Sequence, residues 1–531
     1  MKITIRVNTL FLLIVFANIF CAKGQQAPAK THIHNELVEE NIFITKQPNT
    51  NGVPPFAEVK DRLPQPYWPN RPDAIKSYYK AWETAFSNIH PVTEQNKFVS
   101  PYIDAAFNKH LFMWDACFMT LFGRYGSQTF NFQQTLDNFY AKQHRDGFIC
   151  RQLSQENGED RFERFDVAST GPNIFPWAEW EYFLNMNDTA RLEHVFAPMT
   201  AYYQWYRQWR SWPDGTYFSS GWGSGMDNQP RMQPHHDFRR SHGFMSWIDI
   251  TLQQIYVGKL LVQIAGVLGR EQDIKDIREE VDRLAVFVNS NMWDDKDAFY
   301  YDRYRDGSLS YLKTIGAFWA LLADVVPENR KAGFVAHLSD TNAFERTHRV
   351  PSWAANNPNY NPDGGYWQGA VWAPTTYMVL RGLTATGEDS LAYEIAKNHF
   401  DNVTEVFNQT GTFWENYAPD KRQGNNRRDF VGWTALTPIA VLMEYIFGLR
   451  PDVSRNILVW DIRLTDEFGI KTYPFGENGT VDLSCKKRKH ENDVPAVRIK
   501  SDVPLKVQLI WQGGSKWINV EPSKKTEIRP K

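Results

Sequence analysis

The stretch Leu252-Gln253-Gln254-Ile255-Tyr256-Val257-Gly258-Lys259-Leu260-Leu261-Val262-Gln263-Ile264-Ala265-Gly266-Val267-Leu268 decides the fold class. Leu252, Ile255, Tyr256, Leu260, Ile264 and Leu268 follow the i, i+3, i+4 spacing that puts apolar side chains on one face of a helix. The same period recurs over 76–89, 111–123, 130–143, 173–185, 193–210, 272–289, 312–325, 328–338, 368–386, 390–407 and 431–447. That makes about twelve helices. No short repeat of fixed length joins them, which argues against a regular solenoid. Twelve helices suffice for six inner and six outer ones, an (α/α)6 barrel or toroid, although the count alone also fits a large bundle.

The flanking segments differ. Prolines at 48, 54, 55, 64, 66, 69 and 72 predict an extended arm over residues 25–75, with no regular helix. The helical region then runs over 76–450. After Pro451, Val481-Asp482-Leu483, residues 496–500 and Leu505-Lys506-Val507-Gln508-Leu509-Ile510-Trp511 alternate apolar and polar residues. Gly476-Glu477-Asn478-Gly479 and Gly513-Gly514 supply turns, so 451–531 is expected to be a small antiparallel β domain.

At the start, Lys2 and Arg6 precede the apolar run from Leu10 to Phe20, and Ala22-Lys23-Gly24 offers a cleavage site. Residues 1–24 therefore read as a signal peptide, which predicts an exported, periplasmic or secreted protein. The run is shorter than the ~20 residues of a membrane span, and Cys21 leaves a lipid anchor open. Without residues 1–24, which hold three basic residues and no acid, the formal charge is about −5. That mild acidity excludes the basic stripe a nucleic-acid partner needs. Cys117, Cys150 and Cys485 leave room for one disulfide but have no zinc-type pairing. Trp, Tyr and Phe make up 15% of the chain, a surplus that leans toward stacking on sugar rings, although aromatic core packing uses the same residues.

Three loops carry candidate chemistry. His110-Leu111-Phe112-Met113-Trp114-Asp115 places an aromatic face and a carboxylate at a helix start. Gly221-Trp222-Gly223-Ser224-Gly225-Met226-Asp227-Asn228-Gln229-Pro230-Arg231 sets Asp227 in a tight glycine-rich turn, where an apolar pocket would raise its pKa as a general acid requires. Gly411-Thr412-Phe413-Trp414-Glu415-Asn416-Tyr417, followed by Phe430-Val431-Gly432-Trp433-Thr434, flanks Glu415 with aromatic residues. Taken singly, each has a structural reading as a helix-start Asp, an Asx turn or a solvated Glu.

Together with Gly365-Tyr366-Trp367-Gln368-Gly369-Ala370-Val371-Trp372, these segments closely resemble the motifs of glycoside hydrolase family 63, over roughly 95–450 and in the same order. The Ser-Gly-Met-Asp-Asn-x-Pro-Arg loop resembles its bacterial, mannosylglycerate-hydrolase-like group, and family 37 trehalases are more distantly similar. The resemblance implies an (α/α)6 barrel and an inverting α-glycoside hydrolase acting on terminal α-linked glucose or a related hexoside. It implies Asp227 as general acid and Glu415 as general base. It also implies that Trp114, Asp115, Trp367 and Trp372 bind the first sugar, with Trp222, Gln368, Tyr417 and Trp433 as further substrate-binding candidates. Gln368 stands where many relatives carry Arg. The loop Lys421-Arg422-Gln423-Gly424-Asn425-Asn426-Arg427-Arg428 lacks the carboxylate trehalases place there, which disfavours strict trehalase activity. An α-mannosidase or mannosylglycerate-type hydrolase, a phosphorylase, a polysaccharide lyase and a non-catalytic carbohydrate-binding protein are the rival readings. No cofactor is required by this chemistry. Asp294, Asp295 and Asp297 are candidates for a structural calcium, and His235-His236-Asp237 is a weaker metal candidate.

Overall fold

The computed structural model describes residues 34–528 except 107 and 431. The expected signal peptide and Cys21 lie outside the described residues.

The protein is mainly helical. Six buried helical segments form its centre: Met113–Gly123, Phe175–Met186, Ile248–Leu268, the turn Ile315–Phe318 continued by Trp319–Leu322, Ala373–Ala385, and Trp433–Leu436 continued by the π-type helix Thr437–Ile446. Each packs against the next, and the last packs against the first. Every residue of Met113–Gly123 and of Thr437–Ile446 is buried, as expected for helices surrounded by others. The outer segments bury only a stripe. Lys275–Asn291, for instance, hides Ile277, Glu280, Val281, Leu284 and Val288 and leaves the opposite face to water. Pro72–Ser87, Phe132–Leu136 with Asp137–Ala141, Thr189–Trp209, Glu328–Ala336 and Asp389–Thr410 complete the outer set. Ile248–Leu268 is long and apolar enough to cross a membrane, but most of it is buried here as a core helix.

The strands depart from the expected pattern in two ways. One sheet runs Gln65–Tyr67, Phe468–Pro474, Thr480–Cys485, Val497–Ser501 and Lys525–Ile528, all antiparallel. Its first strand comes from the N-terminal arm. The other runs Leu449–Asp452, Ile457–Asp461, Leu505–Trp511 and Gly514–Val520, and here Ile457–Asp461 and Leu505–Trp511 are parallel. The wholly antiparallel expectation fails at that pair because the chain visits the other sheet between the two strands and re-enters in the same direction. The arm is also less extended than its prolines suggest. Glu36–Glu40 and Ile42–Thr45 are 3-10 turns, Phe56–Val59 is a helical turn, and Pro72 opens a sixteen-residue helix. Proline fits a first helical turn, where its missing N–H has no partner to lose. Cys117, Cys150 and Cys485 are buried free thiols, so the disulfide left open by the sequence does not form among them.

The two ends of the central helices differ in how their buried charges are paired. At their C-terminal ends Arg124 bonds Glu181 at 2.6 Å and Glu444 at 2.7 Å, while Arg381 bonds Glu444 at 2.9 Å and also Glu181. The β region covers this end, where Gly476 N–H donates to Asn185 O at 3.0 Å and Gln128 donates to Gly479 O at 2.9 Å. At the N-terminal ends Asp249 is held by Arg231, but among the described residues Asp115 and Asp227 form no such ion pair. Buried acids lacking a bound cation are costly and tend to mark function.

Candidate active site

A pocket of about 480 Å3 opens at those N-terminal ends, with Trp114, Asp115, Trp222, Asp227, Tyr366 and Trp433 among its lining residues. Trp114 and Asp115 reach it because Met113–Gly123 begins there, its first N–H bonded to Arg151 O at 2.9 Å. Asp115 is buried, and its Oδ1 has no hydrogen-bond partner. Burial, together with the charges of Asp104, Glu415 and Asp227, pushes its carboxyl well above the usual range. The Trp114 indole N–H is likewise unpartnered. Two buried polar groups left open at a pocket are suited to sugar hydroxyls.

Asp227 sits on a turn whose shape the sequence dictates. Ser220 caps the single turn Gly221–Ser224, its hydroxyl accepting from Gly223 N–H at 3.1 Å. Gly225 ends that turn at φ 77°, against the Trp114 ring. Downstream, Arg231 anchors the loop to Asp249 with bonds of 2.8 and 2.9 Å and to Asp302 at 2.9 Å, over the Trp247 ring. Burial raises the Asp227 carboxyl to about 6, with the Arg151 guanidinium pulling the other way.

Glu415 lies on the strand Trp414–Tyr417, paired with Gly424–Arg428. Tyr366 OH donates to its Oε1 at 3.1 Å and the Arg427 N–H to its Oε2 at 3.4 Å. Its pKa is raised by burial and by the Asp227 charge, against the lowering effect of the Tyr366 hydroxyl, the Arg427 N–H and the Arg427 guanidinium. Asp115, Asp227 and Glu415 thus share one electrostatic environment around Tyr366.

The model of the mannosylglycerate hydrolase MGH1-like glycoside hydrolase domain matches residues 108–434. The chain belongs to this glycoside hydrolase family. A family 63 mannosylglycerate hydrolase from Thermus thermophilus has a similar fold, with TM-score 0.56 and 20% identity, covering 68% of this chain and 98% of that one. An uncharacterized protein of Borreliella burgdorferi is 24% identical over 387 residues, 70% of this chain and 79% of its own length. A probable mannosyl-oligosaccharide glucosidase of Schizosaccharomyces pombe is 23% identical over 278 residues, 46% of this chain. The match spans about a third of that relative's own length. Family 63 membership makes this protein a glycoside hydrolase.

The residues expected at the hydrolase's site fall into two groups. Trp114, Asp115, Trp222, Asp227 and Trp433 line the pocket. Glu415 meets it through Tyr366. Trp367 and Trp372 stand behind the wall, stacked at 3.9 Å with an interplanar angle of 2°, and Trp372 packs edge-on against Trp433. Tyr417 is buried elsewhere, packed on His348 and exchanging backbone bonds with Val371, so its expected substrate contact is not found. Regular alternation would put Glu415 and Tyr417 on one face, but the strand's register shifts between Trp414 and Asn416. Gln368 is half-buried and does not line the pocket.

Sequence reasoning missed Arg151, Arg161 and Phe162, which line the pocket, and Tyr366, which it quoted only within a motif. The arginines sit on a hairpin around Gln152–Ser154 that no local motif announces. The calcium candidates are otherwise engaged. Asp294 accepts from Asp297 N–H at 2.7 Å, Asp295 from the Trp293 indole at 2.6 Å, and Asp297 from Tyr301 OH at 2.8 Å. His236 contacts Ser241, and Asp237 accepts from Arg239 N–H. Among the described residues no group of three or more His, Cys, Asp or Glu is arranged to hold a metal ion.

Proposed function

We propose that this hydrolase removes a terminal α-linked glucose, or a related α-hexose, from oligosaccharides or glycosides with inversion. Asp227 is the general acid and Glu415 the general base. The observation that carries the reading is that Asp227, its carboxyl raised by burial, lines the pocket, while Glu415, raised by burial and by the Asp227 charge, meets the same pocket through Tyr366. Asp227 delivers its proton to the glycosidic oxygen as the bond from the anomeric carbon breaks. Glu415 takes a proton from a water that attacks that carbon from the opposite face, so an α-linkage yields a β-hemiacetal. A carboxyl raised to about 6 stays protonated in a far larger fraction near neutral pH than an ordinary Asp does, which favours its use as an acid. Asp115 and Trp114 bind the first sugar, with Trp433 as an aromatic wall backed by the stacked Trp372 and Trp367.

The six central and six outer helical segments support the family's (α/α)6 barrel, with the β region over the end away from the pocket. The apolar N-terminal run supports export. Asp227→Asn and Glu415→Gln test the assignment on a panel of α-glucosides and α-mannosides. Each loses ~100-fold or more in kcat, and near-normal activity in either refutes the assignment.

One observation favours a second reading of specificity. Arg151 and Arg161 line the same pocket, with Phe162 against the Arg151 guanidinium at 4.7 Å. Neither has a carboxylate within 4.0 Å among the described residues. Guanidinium groups without a carboxylate partner suit a carboxylate-bearing leaving group, and a solved family 63 mannosylglycerate hydrolase has been crystallised with D-glycerate. Arg151→Gln/Arg161→Gln raises KM for an α-glycoside of a hydroxy acid but not for a neutral alkyl α-glycoside. Equal effects on both remove this reading.

A further inference from the structure

Tyr366 holds an unusual position between the two carboxylates. Its φ of 66° lies in the left-handed region, which bulky side chains seldom adopt unless the surroundings enforce it. The enforcing group comes from the acid's own loop. Asn228, directly after Asp227, donates through Nδ2 to Gly365 O at 3.0 Å and accepts Trp367 N–H through Oδ1 at 2.8 Å. One amide therefore grips the backbone on both sides of Tyr366. The phenol, packed edge-on against Trp372 at 4.9 Å, then meets Glu415 Oε1 at 3.1 Å. A continuous set of contacts thus runs from the residue after Asp227 to the carboxylate of Glu415.

We propose that Asn228 and Tyr366 form a clamp that fixes the position of the Glu415 carboxylate relative to Asp227. Tyr366 is a positioning residue, acting through Glu415, and Asn228 acts through Tyr366. The inference rests on the assignment of Asp227 and Glu415 as acid and base. It explains why the Tyr366 backbone is strained: relaxing it would withdraw the hydroxyl from the base. The donated hydrogen bond also favours the ionised form of Glu415 that a base requires. The other groups acting on Glu415 are the Asp227 and Asp115 charges, which oppose ionisation, and the Arg427 guanidinium and N–H, which favour it.

The test measures kcat, KM and the pH dependence of kcat/KM for Tyr366→Phe, Asn228→Ala and the double variant, with Glu415→Gln alongside. Tyr366→Phe keeps the ring and removes only the donor. It is expected to lower kcat about tenfold, within the range of acid–base contributions, with KM within about twofold. The acidic limb of the profile moves to higher pH, because Glu415 without its donor is protonated more readily. A purely structural role would not move that limb. Asn228→Ala lowers kcat similarly, and the double variant falls no further than the weaker single one, because both act through one contact. Unchanged kcat and an unmoved limb in Tyr366→Phe overturn the clamp while leaving the acid and base standing. Losses that multiply in the double variant overturn the link between Asn228 and Tyr366. A fully active Glu415→Gln overturns the base assignment itself.

Discussion

Gly221→Ala isolates the placement of the proposed acid from its chemistry. Gly221 starts the turn that carries Asp227, and its N–H donates to Phe238 O at 2.7 Å. A Cβ there would lie 2.0 Å from Asp227 O and 2.6 Å from Phe238 O. Both are backbone oxygens, so neither can rotate away. Carbon–oxygen contacts settle at ~3.3 Å or more, which requires the Asp227 backbone to retreat by roughly 1.3 Å. A displacement of about 1 Å at a reacting group is enough to cost ~100-fold in rate, while overpacking of this kind costs about 1–3 kcal/mol of stability. The assay compares two substrates with the same sugar. An α-glycosyl fluoride departs without protonation, whereas an alkyl α-glycoside needs the acid. Gly221→Ala is expected to lose about 100-fold in kcat/KM on the alkyl glycoside and far less on the fluoride. Wild-type activity on the alkyl glycoside, or equal losses on both, would refute the argument that Gly221 sets the acid's position.

Two further outcomes concern buried charge. Arg231→Met leaves Asp249 and Asp302 buried without their cation, and urea denaturation is expected to report a loss of about 3–5 kcal/mol; a loss below ~1 kcal/mol contradicts it. Asp104, raised by burial from 3.8 to about 6, holds its proton more tightly when folded. It therefore costs stability progressively as pH rises from about 4 to about 6 and fully above that, by about 3 kcal/mol. Asp104→Asn should flatten the fall in unfolding free energy between pH 4 and pH 8, and an unchanged slope refutes the burial argument.

The sequence made the long helices legible because each buries a stripe or a whole cylinder with an unbroken period, as Ile248–Leu268 does. The helices expected over 130–143 and 312–325 instead each break into a 3-10 turn and one short helical turn. Asp227 was legible because glycines crowd around it, and Gly221 shows why: no Cβ fits there. Arg151 and Arg161 were not, because they meet across a local bridge of Leu153 with Asp160 that no motif in 151–161 announces. The role of Tyr366 was hidden in a motif, since its value lies in a backbone angle and a contact 49 positions away. The parallel strand pair escaped detection because alternation reports which face is buried and not the direction of the neighbour. Tyr417 misled because an aromatic beside the base reads as substrate-facing, whereas its hydroxyl accepts from Trp414 N–H inside the core.

The most direct test of the account is proton NMR of the first turnovers on a terminal α-glucoside or α-mannoside that the enzyme cleaves. Two opposed carboxylates acting on water in a single displacement predict the β-anomer first, with the α-anomer appearing only by mutarotation. Initial release of the α-anomer would contradict the roles given to Asp227 and Glu415.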